Sequence, residues 1–117
     1  MDSIPKPPYY AVIFTSTLAP DDHGYDAMAQ AMVDLASQQP GFLGIDSARE
    51  TVGITVSYWR SLEDIQRWKE NAEHREAQRL GRTKWYASYQ LHIAKVERSY
   101  SFQREGRSQD VQRGTES

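Results

Sequence analysis

The chain has no cysteine. That absence excludes disulfides, thiolate metal sites and cysteine nucleophiles. It also lacks any apolar run near the ~18 residues of a membrane span. Its amino terminus does not show the basic-then-apolar order of a signal peptide, so a cytoplasmic location is expected. Charge of neither sign dominates: 14 basic against 16 acidic residues give a formal net charge of −2. Such a balance argues against nucleic acid or an anionic membrane as the main partner. Proline is scarce, and three of the five stand in the first eight residues. This marks residues 1–8 as an extended lead-in. The phosphate-binding loops GxGxxG and GxxxxGK[ST], the metal motif HExxH and the nucleophile elbow GxSxG are all missing. His23, His74 and His92 lie far apart, so a metal site would need histidines and carboxylates to converge from different elements.

What is present is ring surface. Three Trp, seven Tyr and three Phe make 11% of 117 residues. A chain of this length forms one domain with a single modest core, so this is much aromatic surface to place. All three tryptophans fall between residues 59 and 85.

Tyr9 to Leu18 (YYAVIFTSTL) is β-branched and aromatic and reads as a strand. Ala19 to Gly24 breaks it, with Asp21 or Asp22 placed to cap a helix. Tyr25, Met28, Ala29, Met32, Leu35 and Ala36 then repeat at helical spacing, until Pro40-Gly41. Phe42 to Glu50 and Ile54 to Trp59 predict an antiparallel hairpin joined through Thr51-Val52-Gly53. Ser61 is the expected cap of a second helix, with Glu63 and Asp64 at its positive end and Leu62, Ile65 and Trp68 on one face. An irregularity near Asn71-Ala72 is expected to split that helix, its second part running from about Glu73 to Leu80 and toward Lys84. Trp85 to Glu97 reads as the last strand, with Tyr89, Leu91 and Ile93 on one side and Ser88, Gln90, His92 and Ala94 on the other. From 101 to 117 the chain is polar and holds too little apolar surface to offset its ordering entropy, so a mobile tail is expected.

The order β-α-β-β-α-β predicts an α+β ferredoxin-like domain over 9–100, a four-stranded antiparallel sheet with both helices on one face. The other sheet face then needs cover. A second copy of the same sheet is the simplest supply, which predicts a homodimer.

Chemistry has one plausible address, the space between the second helix and the sheet. Trp59, Trp68, Asn71, His74, Gln78, Trp85, Tyr86, Tyr89 and His92 gather around it in sequence. Such a wall, mostly apolar with a few polar handles, suits a flat ring-bearing ligand. His74 and Gln78, four apart, point the same way on a helix. An imidazole titrates near neutral pH, so His74 is the candidate base. Each residue also has a plainer reading. Trp68 shares its spacing with core residues Leu62 and Ile65, Trp59 and Trp85 suit interface anchors, His74 a half-exposed helix position, and His92 a dimer contact. With no cysteine and no metal motif, cofactor-free chemistry and simple binding are the two readings to compare.

The run Ser57-Tyr58-Trp59-Arg60-Ser61-Leu62-Glu63-Asp64, then Trp68, then His74-Arg75-Glu76-Ala77-Gln78, resembles the antibiotic-biosynthesis monooxygenase family. Gln39-Pro40-Gly41-Phe42 matches the family's Pro-Gly-Phe step into the second strand. The likeness spans about Tyr9 to Tyr100. It implies a dimeric α+β barrel of ferredoxin-like subunits. Some members oxygenate polycyclic phenols to quinones without metal or flavin, the deprotonated substrate itself passing an electron to O₂. On that pattern Trp68, Asn71 and His74 fall in the region where those enzymes carry pocket residues. The leading reading gives His74, Asn71 and Trp68 the catalytic roles, with Trp59, Gln78, Trp85, Tyr89 and His92 binding a small aromatic substrate and no cofactor. Other members degrade haem. Aligning Trp59 and Trp68 with that branch puts Gln78 where its haem-binding histidine stands. Glutamine is a poor iron ligand, so haem would have to shift to His74.

Overall fold

Side-chain alternation sets the sheet. In a computed structural model of the chain, β1 (Tyr9–Leu18) lies between β3 (Gly53–Trp59) and β4 (Tyr86–Val96), and β2 (Phe42–Arg49) flanks β3. All three pairings are antiparallel. Helices α1 (Tyr25–Ser37) and α2 (Leu62–His74) complete the order β-α-β-β-α-β. The structure describes residues 5–21, 24–74 and 85–104, with 72–74 described through their backbone.

The register sorts the strands into two faces. Val12 lies opposite Ser57 and Ile93, and Phe14 opposite Thr55 and Leu91. These residues face the helices and line the space beneath them. Ile13 lies opposite Val56 and His92 on the helix-free side. Both helices therefore cover one face, and the fold is the expected ferredoxin-like α+β arrangement. The core sits under one end of the helix layer, where Val12, Ala36, Trp59 and Ile65 are buried and Tyr10, Phe42 and Trp68 pack against them.

Helix starts show what local chemistry decides. Ser61 caps α2 as expected: its Oγ accepts from the Asp64 N–H at 3.1 Å and donates to Asp64 Oδ2 at 2.9 Å. At α1 the cap differs from the expected Asp21 or Asp22. Gly24, at φ +89°, holds the N-cap position and no side chain caps the helix. The split expected at Asn71-Ala72 does not occur, and α2 runs through both residues to His74. Asn71 explains this, because its Nδ2 donates to Gln39 Oε1 at 3.2 Å instead of competing for helix backbone. The predicted continuation over 75–84, including Gln78, and residues 105–117 of the predicted tail lie outside the described residues.

One turn is specific to glycine. Gly41 has φ +82°, and a Cβ added there would collide with the Asp64 carboxylate. Arg60 N–H also donates to the Gly41 carbonyl at 2.8 Å, which fixes the β2 start against the loop before α2. Gly41→Ala is expected to cost roughly 1–3 kcal/mol from the left-handed backbone alone, read as a lower urea midpoint at unchanged slope.

Candidate functional site

Between α1, α2 and the helix face of the sheet lies a cavity of about 590 Å³. Its walls follow from the periodicities. Met28, Ala29 and Met32 come from α1 at helical spacing, Leu62, Ile65 and Trp68 from α2, and Phe14, Leu91 and Ile93 from the strands. Tyr25, Tyr86 and Tyr89 gather at one end. The polar groups are few: Ser47, Thr55 and Ser57 on the floor, Gln66 and Lys69 on α2, and the three tyrosine hydroxyls. The Ser47 and Thr55 hydroxyls pair with each other at 3.0 Å. Leu91 and Ile93 are 44% and 49% exposed although they line the cavity, so it opens beside β4. An apolar chamber of this size with a few convergent hydroxyls suits a small ring-bearing molecule.

The expected site residues are sorted unevenly by this geometry. Trp68 and Tyr89 line the cavity. Trp59 lies behind it, fully buried, with Trp68 stacked on its ring at 6.0 Å and Phe42 edge-on at 5.5 Å. Its Nε1 donates to Ser57 Oγ at 2.9 Å, so its one polar atom is occupied in the core. Trp85 is also buried, but its Nε1 lies beside Gly24, and its carbonyl accepts from Ala19 N–H at 2.7 Å. That places it under the β1–α1 connection, outside the cavity wall. Asn71 turns toward Gln39. His92 stands opposite Ile13 on the helix-free face, away from the chamber. His74 ends α2, and its side chain, like Gln78, lies outside the described part.

An aromatic knot closes one end. Phe14 meets Tyr86 at 5.3 Å and Tyr89 at 5.2 Å, and Tyr25 meets Tyr86 at 5.7 Å. Burial pushes the Tyr86 phenol above the ordinary tyrosine value of 10.0, helped by a hydrogen bond with Tyr25 and opposed by the Arg49 charge. Tyr86 is therefore a neutral hydroxyl throughout the physiological range. The sequence places Tyr86 among the pocket aromatics but does not single out Tyr25 or Arg49. Tyr25 sat in the apolar helix pattern, and Arg49 carried no local signal at all.

Among the described residues no group of three or more His, Asp or Glu is placed to hold a metal ion. Among those residues, too, no helix is long and apolar enough to cross a membrane.

The fold and its chamber define a ferredoxin-like α+β protein with a mostly apolar cavity between helices and sheet. The sequence model of the antibiotic biosynthesis monooxygenase family matches residues 8–80, and the chain belongs to that family. It is 50% identical over 105 residues to the uncharacterized protein YqjZ of Bacillus subtilis (strain 168), a match covering 88% of this chain and 92% of that one. Solved structures share the fold, two of them as follows. SnoaB, a cofactor-independent oxygenase from Streptomyces nogalater, superposes with a TM-score of 0.67 at 10% identity, covering 80% of this chain and 97% of that one. PA3566 from Pseudomonas aeruginosa gives 0.64 at 19% identity, with the same 80% and 97% coverage.

Proposed function

We propose that the protein is a cofactor-independent monooxygenase acting on a small aromatic or quinol-like compound held in the chamber beneath the helices. The observation that carries this reading is the open cavity of about 590 Å³, walled by Trp68 and the aromatic knot. A vestigial or purely structural domain has no need to keep such space beside stacked tryptophans. Membership of a monooxygenase family supplies the reaction class, and the oxygenase SnoaB shows that this fold can host it without a cofactor.

In this reading a methylene flanked by phenolic rings loses a proton, and the resulting anion passes electrons to O₂. One oxygen atom becomes a new ring carbonyl and the other leaves as water with the two methylene hydrogens. The substrate supplies all four electrons. The chain contributes a base, an apolar box that aligns the flat substrate, and donors for the developing oxyanion. His74 is assigned as the base, Trp68 and Tyr89 as walls, and Asn71 and Gln78 as the amides that anchor substrate oxygens. The protein is further assigned as a homodimer, joined through the helix-free sheet faces.

Oxygen uptake with a panel of anthrones and hydroquinones tests this. The expected result for a competent anthrone is one O₂ consumed per substrate, unaffected by chelators, with the quinone formed. Binding of these compounds without uptake across the panel would replace the enzyme by a non-catalytic binding module. His74→Ala is expected to lower turnover about a hundredfold, the lower range for a general base. Turnover at the wild-type rate would remove His74 from that role.

A further inference from the structure

One row of residues crosses the whole sheet on its helix face. Arg49 of β2 is the register partner of Gly53 in β3, Gly53 of Ser16 in β1, and Ser16 of Tyr89 in β4. Because Gly53 has no side chain, the Arg49 guanidinium lies in the space a Cβ there would fill. It thereby reaches a second strand away. Its Nη2 donates to the Ser16 hydroxyl, and its Nη1 meets the Ser16 carbonyl at 3.4 Å. Ser16 is 1% exposed. From the same position the guanidinium covers the Tyr25 ring at 5.3 Å, and Nη2 reaches the Tyr25 hydroxyl at 3.5 Å. Among the described residues no carboxylate stands within ion-pair distance of Arg49. A half-buried cation is thus held by hydroxyls and a carbonyl, with its charge directed into the tyrosine pair that closes the chamber.

The Tyr25 and Tyr86 rings meet edge-on at 5.7 Å. Each phenol has a single proton to give, so even where one donates to the other, one O–H of the pair is left over. The Tyr25 oxygen already accepts from Arg49, which polarises that remaining donor. Both rings line the cavity. We infer that Tyr25 and Tyr86, polarised by Arg49, form an oxyanion subsite, so that the chamber takes aromatic ligands as phenolates or enolates. This rests on the chamber being a ligand site. Arg49 is a positioning residue that acts through Tyr25, and Gly53 is the gap that lets it do so. Tyr86 stays protonated and serves as a donor, not as a base.

The sign of one measurement separates this from an ordinary apolar pocket. Desolvation in an apolar chamber raises the pKa of a bound phenol, whereas an oxyanion subsite lowers it. Bound 4-nitrophenol, followed by phenolate absorbance, is expected to titrate about one unit lower than free. That is a tenfold preference for the anion, the scale of one hydrogen bond to a charged group. Tyr25→Phe and Tyr86→Phe are each expected to abolish the drop while leaving affinity for the neutral isostere 4-nitrotoluene within about twofold, as an unperturbed cavity requires. Arg49→Met and Gly53→Ala are expected to reduce the drop, and Arg49→Lys to restore part of it. A bound pKa at or above the free value overturns the subsite. So does a drop that survives both Tyr→Phe changes, or one removed instead by Lys69→Met, the cation that lines the cavity. If neither probe binds, the chamber is no ligand site, and the functional reading falls together with this one.

Discussion

Trp59→Ala is expected to destabilise the domain by roughly 3–5 kcal/mol, as truncations of large buried aromatics do. A domain of this size has about 5–15 kcal/mol in total, so the variant should populate unfolded chains near physiological temperature. The cost has identifiable parts. Trp59 is 0% exposed and sits in the cluster with Val12, Ala36 and Ile65. Its removal empties the space between the Phe42 edge contact and the Trp68 stack. It also strips Ser57 Oγ, in a residue only 8% exposed, of its indole donor. Trp68→Ala removes a ring of the same size from a half-buried position in the cavity wall. That change should cost no more than about 1–2 kcal/mol, since less apolar area returns to water, but should weaken aromatic ligands. Urea midpoints and ligand titrations on both variants check the division. If Trp68→Ala proved the more destabilising of the two, the assignment of Trp59 to core and Trp68 to wall would be inverted.

That division was the part the sequence could not supply. Trp59 ends a strand and Trp68 lies on a helix nine residues later, and both suited a pocket or a core equally. Only the register, with Trp59 opposite Tyr10 and Phe42, puts one ring under the other. Strand alternation, by contrast, is local. The faces assigned to Tyr89, Leu91 and Ile93 against His92 and Ala94 could be read from period two, and Ser61 announced its helix by chemistry within four residues. The Arg49–Gly53–Ser16 row was illegible for the opposite reason. Ser16 and Arg49 are 33 positions apart and meet only because a glycine between them leaves room. No window of sequence holds that information. Asn71 misled in the same way, since a helix amide reads as a breaker until its distant partner Gln39 is known.

Under the proposed homodimer, Val56→Asp is expected to give a folded monomer. Val56 and Ile13 are register partners on the two central strands, half-buried on the face that no helix covers. Around them the same face carries Ile54, 47% exposed, and the exposed Ala94 and His92. A small protein rarely leaves the middle of such a sheet wet. A second copy laid on it would share the patch about a two-fold axis, each central side chain meeting its counterpart's surroundings. One aspartate per chain therefore enters the interface twice. A carboxylate buried there without a partner costs about 3 kcal/mol or more, so two raise the dissociation constant by at least about 10⁴-fold. In the monomer the same aspartate meets water, so the thermal midpoint measured below the dimerisation concentration should change little. The outcome turns on where the chamber lies. It is walled by the opposite sheet face, so a monomeric Val56→Asp protein should still bind the neutral probe 4-nitrotoluene. Sedimentation at micromolar concentration reads the first effect and fluorescence quenching of Trp68 the second. A variant that remains dimeric would exclude this face as the interface. One that loses both dimer and ligand would mean that the partner sheet holds the chamber in shape through the strands they share.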